Sequence, residues 1–597
     1  MSEKDLETIR HSFAHVLAAA VYQMFPEAKF GIGPTIENGF YYDFELPRTL
    51  IPEDLEIIES KMKDIIKAGI KFEGKEIKVA EAKKFFQEAK QPYKVELIKD
   101  LEKEGKKEVT IYKSGDFVDL CSGPHIESTK KLPPTSYKLT SIAGAYWRGD
   151  EKNAMLQRIY GVAFENQEEL KDYLEKIEEA KKRDHKKLGR DLDLYFFDES
   201  APGMAYFLPK GTILYNTILE FWREEHQKLG YQEIKSPLLN KQQLYEISGH
   251  WDHYREDMFI AKTEEKEVYG LKPMNCPNAM IVFASKKRSY KELPLRLSDC
   301  DVLHRYERSG TLNGLFRVRE FAQDDAHIFV RENQIEKEYQ RIFEIVERFY
   351  SVFGLEYSYR LGIRPEKFMG DEKTWGKAEK ILENLLKKSK KKFHIEKGEG
   401  AFYGPKIDIL MKDSLDREWQ MGTIQLDFQI PLNFKLKFTG EKGREETPVV
   451  IHRVVYGSLE RFIGILVEHY AGLFPLWVAP EQVRVLPISD KFNNYGGKVI
   501  ADLEAAGIKV KLDDSNESLG KKIRNAELEK VPYIFIIGER EEKAETVAVR
   551  HHSKGVHPEG SLQGEPSVRA PRGDLGTKKL EEILKILVSE IKEKKIN

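Results

Sequence analysis

The chain has 597 residues, 41% of them hydrophobic and 33% charged. That length suggests about three to five domains, and the composition is that of an ordinary soluble globular protein. The net charge of −2 excludes a global basic field. Any RNA binding must come from local patches such as KKRDHKK, residues 181–187. Three cysteines are too few for a disulfide framework and fit a reducing compartment. The start MSEKDLETIR has no apolar targeting segment, and no run is long enough to span a bilayer. Both point to the cytoplasm and away from membranes.

Residues 1–165 read as a first unit. The helical pattern DLETIRHSFAHVLAAAVYQMF precedes FGIGPTIENGFYYDFE, which reads as strands with glycine turns. Residues 166–189 are mostly charged and read as one solvated connecting helix ending at Gly189. Residues 190–478 form the largest unit. From 479 to 597 a new pattern begins. Strand VRVLPI, helix YGGKVIADLEAAG, strand IKVKLD, helix SLGKKIRNAELEK and strand PYIFIIG alternate as in a small α/β domain.

The most telling stretch is LHRYERSGTLNGLFRVREFAQDDAHIF, from Leu303 to Phe329. Alternate residues of a strand share a face. A strand through its second half puts Arg317, Arg319, Phe321, Gln323, Asp325 and His327 together. Its first half puts Leu303, Arg305 and Glu307 together, and SGTLNG between them is a turn-rich loop. Such a surface suits phosphates, a ring and a small polar head.

Cys276 in KPMNCPNAM, His327 and His452 in VIHRVVYGSLERF supply one thiolate and two imidazoles. That set suits zinc, with a position left open as in catalytic sites. Taken alone, each residue is better read as a buried thiol or a satisfied core histidine. Each lies, however, in a polar, functional-looking segment. The run Tyr456-Gly457-Ser458-Leu459-Glu460-Arg461 places an arginine at a helix start, as a phosphate contact or as a surface residue. In the first unit His11 and His15 lie one helical turn apart on one face. Cys121 and His125 add a thiol and an imidazole. This tetrad could bind metal or position a hydrolytic water, and a second structural zinc site is the alternative.

These segments carry a resemblance. HRYERSG…FRVREFAQDDAHIF resembles motif 2 of the class II aminoacyl-tRNA synthetases. VVYGSLERFIGILVEHYAGLFPLWVAP resembles motif 3. ILYNTILEFWREEHQKLGYQEIKSPLL, a long helix and then a strand holding Pro237, resembles motif 1. MNCP with QDDAHIF and IHR is similar to the threonyl-tRNA synthetase family, and the likeness covers essentially the whole chain. It implies an α/β and α+β multidomain fold. The antiparallel-sheet class II catalytic core would take residues 190–478. An α+β editing domain would precede it (1–165), and an α/β anticodon-binding domain would follow (479–597).

The resemblance also implies roles. Arg305 would hold the ATP α-phosphate and Phe321 would stack on adenine. Arg461 would hold the distal phosphates, supported by Arg317 and Glu307. Cys276, His327 and His452 would bind one zinc per chain. Met274, Gln323, Asp325, Tyr403 and Gln425 would surround threonine, and Gln420 and Ser458 would be further contacts. Tyr42, Lys94 and Asp119 would join His11, His15, Cys121 and His125 in the editing pocket. Glu541 and Arg550 would read anticodon bases. The partners would be tRNA(Thr), threonine, ATP with Mg²⁺, and a second copy in a homodimer. The motif 1 helix around Phe221 and Trp222 would supply apolar bulk to that interface. Two departures stand out. The family's small N-terminal β-grasp module is missing ahead of HSFAH, and residues 551–576 look longer than its usual final hairpin.

An apolar pocket separates a hydroxyl from a methyl by only about 10². Zinc ligated by the amino and hydroxyl groups of threonine would exclude valine and admit serine. Serine lacks one methyl, worth roughly 1–3 kcal/mol, so editing would be needed. Two rivals are an RNA-binding regulator that no longer catalyses and a freestanding trans-editor. A degenerate regulator should have lost some of these motifs, and a complete catalytic unit argues against the trans-editor.

Overall fold

The computed structural model describes residues 2–414, 417–552 and 574–596. It divides into two compact units, Met1–Glu179 and Ala180–Asn597. In the first, the helix Glu3–Met24 begins with a capping box. The Ser2 hydroxyl accepts from the Asp5 N–H, and the Asp5 carboxylate accepts from Ser2. Its apolar face, with Phe13, Leu17 and Val21, joins Ile58, Met62 and Ile65 of the helix Pro52–Ala68 in one core. Phe40, Phe44 and Ile159 from the strands Gly39–Glu45 and Met155–Ala163 complete it. A second sheet joins Glu73–Lys78, Glu108–Ser114 and Phe117–Leu120. Its last strand carries Asp119 and delivers Cys121 just beyond its end.

The second unit is built on an eight-stranded sheet. Its order is Gln232–Glu233, Leu295–Asp299, Asp325–Val330, Val449–Val454, Glu418–Asp427, Lys406–Lys412, Glu356–Gly362 and Phe393–Glu396. The two edge pairings are parallel and the inner ones antiparallel. Register places His452 opposite His327 on one side and opposite Gln425 on the other. Three sequence-distant polar residues thus become neighbours across adjacent strands. The helices Pro209–Lys228, Ile335–Ser351 and Glu372–Ser389 bury Leu214, Ile342, Phe349 and Leu382 in the main core.

Toward the C-terminus a five-stranded sheet runs Val510–Leu512, Val483–Pro487, Tyr533–Ile537, Thr546–His551 and Asp574–Lys579. Its first three strands are parallel, and the helices Asn493–Ala505 and Leu519–Leu528 lie where the alternating pattern puts them. Residues 553–573, most of the unassigned 551–576 segment, lie outside the described residues.

Four expectations are corrected. The connecting helix is two helices, Gln167–Arg183 and His185–Asp191. The Asp184 carboxylate caps the second by accepting from the Lys186 and Lys187 N–H groups at 2.8 and 3.2 Å. Gly189 does not end it. A Cβ there would meet the Tyr195 ring at 2.4 Å, so this glycine serves close packing. Second, the strand after the motif 1 helix is only Gln232–Glu233 and does not include Pro237, which has no N–H for a ladder.

Third, no single strand runs from Arg317 to His327. Glu320–Ala322 pairs with Val302–His304 as a small hairpin, while Asp325–Val330 enters the large sheet. Arg319 turns away from the expected face and donates to the Glu307 carbonyl at 2.9 Å. Fourth, Phe221 and Trp222 are each only 1% exposed within the chain's own core. They have no surface left for a partner copy.

Candidate active site and candidate editing pocket

A cavity of about 480 Å³ opens over the middle of the large sheet. All the residues expected to bind ATP, threonine and metal line it, although they come from segments nearly 190 residues apart. Arg305, Arg317 and Arg461 are among the lining residues. The Arg305 guanidinium lies 5.0 Å over the Phe321 ring and donates to the Pro273 carbonyl at 3.3 Å. Arg317 pairs with Glu307 at 2.8 Å. Arg461 donates to the Phe316 carbonyl at 2.9 Å and to the Gln420 carbonyl at 3.1 Å. Burial, with Arg305 and Arg317 nearby, lowers the Arg461 pKa. Like charges held this close favour a polyanion between them.

The Gln420 side chain is fully engaged. It donates to Asp408 Oδ1 at 2.9 Å and accepts from Arg360 at 2.7 Å. Ser458 caps the helix Leu459–His469 by accepting the Arg461 N–H at 3.1 Å. The capping hydroxyl therefore sets the height at which Arg461 leaves the helix.

One atom each of Cys276, His327 and His452 lies within 4.8 Å of the others, and all three residues are buried. Burial pushes the Cys276 thiol well up and holds the His327 imidazole well down. His452 Nε2 lies 2.9 Å from Asp427 Oδ2, and His327 Nδ1 lies 3.9 Å from Asp299 Oδ1. His452 Nε2 thus has a carboxylate partner, while His327 Nδ1 has no hydrogen-bond partner. A soft thiolate with two oriented imidazoles fits zinc.

Around this set, Tyr403 hydrogen-bonds to Gln425. Asn275 donates to Asp325 at 3.3 Å. Burial raises the Asp325 pKa to about 6, against the pull of His452. Met274 brings its sulfur within 3.2 Å of His250 Nε2.

Sequence reading missed several residues here. His250 is fully buried, its pKa lowered by burial to about 3, and its Nε2 lies 3.5 Å from Cys276 Sγ. Its signal was the SGHWDH run. His250 lies behind the lining, whereas Tyr254, Lys406 and Thr423 line the cavity itself. Asp408 is the hub behind the last two, binding Lys406 at 3.1 Å and Thr423 at 3.0 Å. The alternation of Lys406 and Asp408 in an otherwise apolar strand was the available sign.

In the first unit a smaller cavity of about 170 Å³ is lined by His11, His15, Tyr42, Lys94, Asp119 and Cys121, among others. His125 does not line it. Its ring stacks on Phe72 and His11, and its Nε2 backs Cys121 Sγ at 3.2 Å. The Ser12 hydroxyl donates to the Thr8 carbonyl and accepts from Ile126 N–H, so it is free to accept from His125 Nδ1 at 3.2 Å. His11 Nδ1 likewise faces the Pro124 carbonyl, and its Nε2 lies 3.2 Å from the same sulfur. Both imidazoles therefore turn unprotonated Nε2 atoms toward Cys121.

Burial lowers His11, takes His15 to about 3 and His125 to about 2, and raises Cys121 to about 11. All four are neutral near pH 7. Lys94 pairs with Asp119 at 2.6 Å, and Tyr42 donates to Asp119 at 2.5 Å. Charge in this pocket is thus confined to one compensated ion pair. His11, Cys121 and His125 also form a cluster with metal-ligand spacing.

Near the C-terminus, Glu541 lies on the short helix Glu539–Ala544 and accepts the Gly538 N–H at 3.0 Å. That capping role alone accounts for a glutamate there. Arg550 lies on the strand Thr546–His551, opposite Ile534.

Comparison with known proteins fits these sites. Residues 259–470 match the family model of the tRNA synthetase class II core domain (G, H, P, S and T). Residues 482–564 match the anticodon binding domain. Residues 109–160 match the threonyl and alanyl tRNA synthetase second additional domain. A threonine–tRNA ligase of Syntrophomonas wolfei is 49% identical over 592 residues, covering 99% of this chain and 90% of that protein. One of Clostridium tetani is 51% identical over 553 residues, covering 93% and 86%.

Among solved structures, the RNA binding domain of threonyl-tRNA synthetase from Cryptosporidium parvum superposes with TM-score 0.63 at 38% identity. It covers 68% of this chain and 98% of its own. A putative threonyl-tRNA synthetase from Aeropyrum pernix gives 0.59 at 27% identity, covering 69% and 96%. With near-complete coverage at about half identity, the chain belongs to the threonine–tRNA ligase family.

Proposed function

We propose that the protein activates threonine with ATP, transfers it to tRNA(Thr) and hydrolyses mischarged seryl-tRNA(Thr). The observation that carries this reading is one cavity lined by both three arginines and a Cys-His-His set. In the activating step the threonine carboxylate attacks the α-phosphorus of ATP and pyrophosphate leaves. Such a transfer needs positioning and charge neutralisation rather than a protein nucleophile. Arg305 holds the α-phosphate, Arg461 the distal phosphates, and Arg317 and Glu307 support them, with Mg²⁺ entering on the nucleotide. Phe321 offers its ring to adenine, and Gln420 and Ser458 hold Arg461 in place.

Met274, Gln323, Asp325, Tyr403 and Gln425 surround the amino acid. Cys276, His327 and His452 hold one zinc. A zinc held there would act as a Lewis acid toward an amino and a hydroxyl group, both of which threonine and serine carry, whereas valine has only the amino group.

We assign editing to residues 1–165. There neutral His11 and His15 face a pocket closed by Tyr42, Lys94, Asp119 and Cys121, with His125 behind the thiol. Imidazoles with free lone pairs can take a proton from water attacking the seryl ester. Rejection of threonine's extra methyl there would make this pocket a second sieve.

We assign residues 190–478 to catalysis and 479–597 to anticodon reading, with Glu541 and Arg550 as contacts. The protein acts as a cytoplasmic homodimer. No helix among the described residues is long and apolar enough to cross a membrane. Charging of tRNA(Thr) tests the reading: threonyl-tRNA should accumulate and added seryl-tRNA should be cleared. A protein that binds tRNA(Thr) but charges it with nothing would overturn it.

A further inference from the structure

The break between the small hairpin and the large sheet is tied from both sides to the turn that opens the helix Leu459–His469. Asp324, at the break, is fully buried. Its Oδ1 accepts from the N–H groups of Val455, Tyr456 and Gly457 at 3.1, 3.0 and 3.1 Å. Its Oδ2 accepts from Val455 at 2.9 Å, and Arg453 lies 3.8 Å away. In the return direction, Glu460 on the helix accepts the Ala322 N–H at 3.1 Å. Between these ties Gln323 and Ser458 form a backbone bridge.

The turn has no slack. Gly457 has φ +82°, and a Cβ there would meet the Met421 carbonyl oxygen at 2.4 Å. Three successive amides in a dry site need an acceptor, and a buried N–H left without one is costly.

Neither carboxylate lines the cavity. Gly457, which Asp324 holds, does, and so do residues next in sequence to the other groups the two carboxyls bind. Phe321, Gln323 and Asp325 lie on one side of the tie, Ser458 and Arg461 on the other. We propose that Asp324 and Glu460 are positioning residues, a reciprocal carboxylate–amide latch that sets the phosphate-binding arginine relative to the adenine and amino-acid contacts. This rests on the reading of Arg461 as a phosphate ligand. The latch acts on the ATP side, because Arg461 hangs from the turn that Asp324 holds, while His327 and His452 are fixed by the sheet register and Cys276 by the start of the helix Cys276–Ala284.

The test uses the full chain and four variants: Asp324→Ala, Asp324→Asn, Glu460→Gln and Arg461→Ala. ATP–pyrophosphate exchange gives kcat with separate KM values for ATP and threonine. Seryl-tRNA deacylation and a thermal melt report the fold. Asp324→Ala should lower kcat/KM for ATP by roughly tenfold or more, while the KM for threonine moves by less than about threefold. Asp324→Asn should fall between, since one oxygen still accepts. Glu460→Gln should fall in the same direction by less than Asp324→Ala, since its amide oxygen can still accept the Ala322 N–H; a loss on threonine equal to that on ATP would overturn its part in the latch. Deacylation should be unchanged throughout.

If Arg461→Ala suppresses exchange while Asp324→Ala is normal, the latch is overturned and the phosphate reading stands. If Arg461→Ala is itself normal, the phosphate reading fails. Equal losses on ATP and threonine in the Asp324 variants would show a general structural role and overturn the proposal. Should Asp324→Ala not fold, the same split in Asp324→Asn decides.

Discussion

His452 Nε2 and Asp427 Oδ2 lie 2.9 Å apart, the carboxylate buried behind a histidine that lines the large cavity. The contact assigns the two ring nitrogens, one to the carboxylate and one to the cluster with Cys276 and His327. Asp427 is itself pinned, because its other oxygen accepts from the Gln429 and Ile430 N–H groups at 2.7 and 3.0 Å. The purified protein should therefore carry about one zinc per chain, held by three protein ligands. Cys276→Ser should lose it together with threonine activation. Asp427→Asn should weaken zinc by roughly 10–100-fold in a chelator competition. Unchanged metal content in Cys276→Ser would show that the cluster is not the zinc site.

Arg305 and Arg461 give the second prediction. Each should cost well over tenfold in pyrophosphate exchange when replaced by Ala, since charge-assisted contacts to phosphate are lost. Arg319→Ala should cost far less. That side chain braces the Glu307 carbonyl and Ser309 at the rim rather than facing the cavity. Near-wild-type exchange in Arg305→Ala would sink the motif 2 assignment.

The editing pocket predicts a pH profile. A free histidine titrates near about 6.5, but burial holds His15 at about 3 and His125 at about 2. Deacylation of seryl-tRNA should stay flat from pH 7.5 to 6, as read by acid-precipitable counts. A loss with its midpoint near 6.5 would contradict neutral, buried imidazoles. Stability follows the same sign. These depressed pKa values contribute stability that is full above about 6.5 and is lost as pH falls toward 3. His11→Ala with His15→Ala should leave threonyl charging intact while seryl-tRNA accumulates.

Assembly gives the fourth prediction. Phe221 and Trp222 are spent on the core, but Phe196, Tyr206 and Ile213 are 42%, 43% and 37% exposed. Phe196 and Tyr206 stack on each other across a short hairpin, centroids 5.2 Å apart. Light scattering should report a dimer, and Phe196→Glu should shift it toward monomer. A wild-type monomer at micromolar concentration with full activity would refute the interface.

Residues with unusual chemistry were legible in the sequence, and residues with ordinary chemistry in unusual places were not. Arg305, Phe321, Gln323 and Asp325 could be found because no apolar strand would carry them. Cys276, His327 and His452 could be found because their segments are polar. Asp184 was hidden in a charged run, where one cap looks like any other charge. Asp324 was hidden beside Asp325, since only the tertiary turn shows that neighbouring carboxylates face opposite tasks. Pro237 and the break at Gln323 were lost because strand ends are set by where backbone partners run out, and pattern alone does not show that. Phe221 and Trp222 show that apolar bulk on a helix says nothing about which neighbour covers it.

The central claim is that this cavity selects an amino acid by two neutral ligand groups and joins it to AMP. The most direct measurement is ATP–pyrophosphate exchange with each amino acid in turn. Threonine should give the fastest exchange, serine a slower but measurable one, and valine none above background. Exchange with valine as fast as with serine would contradict the account, as would exchange with neither threonine nor serine.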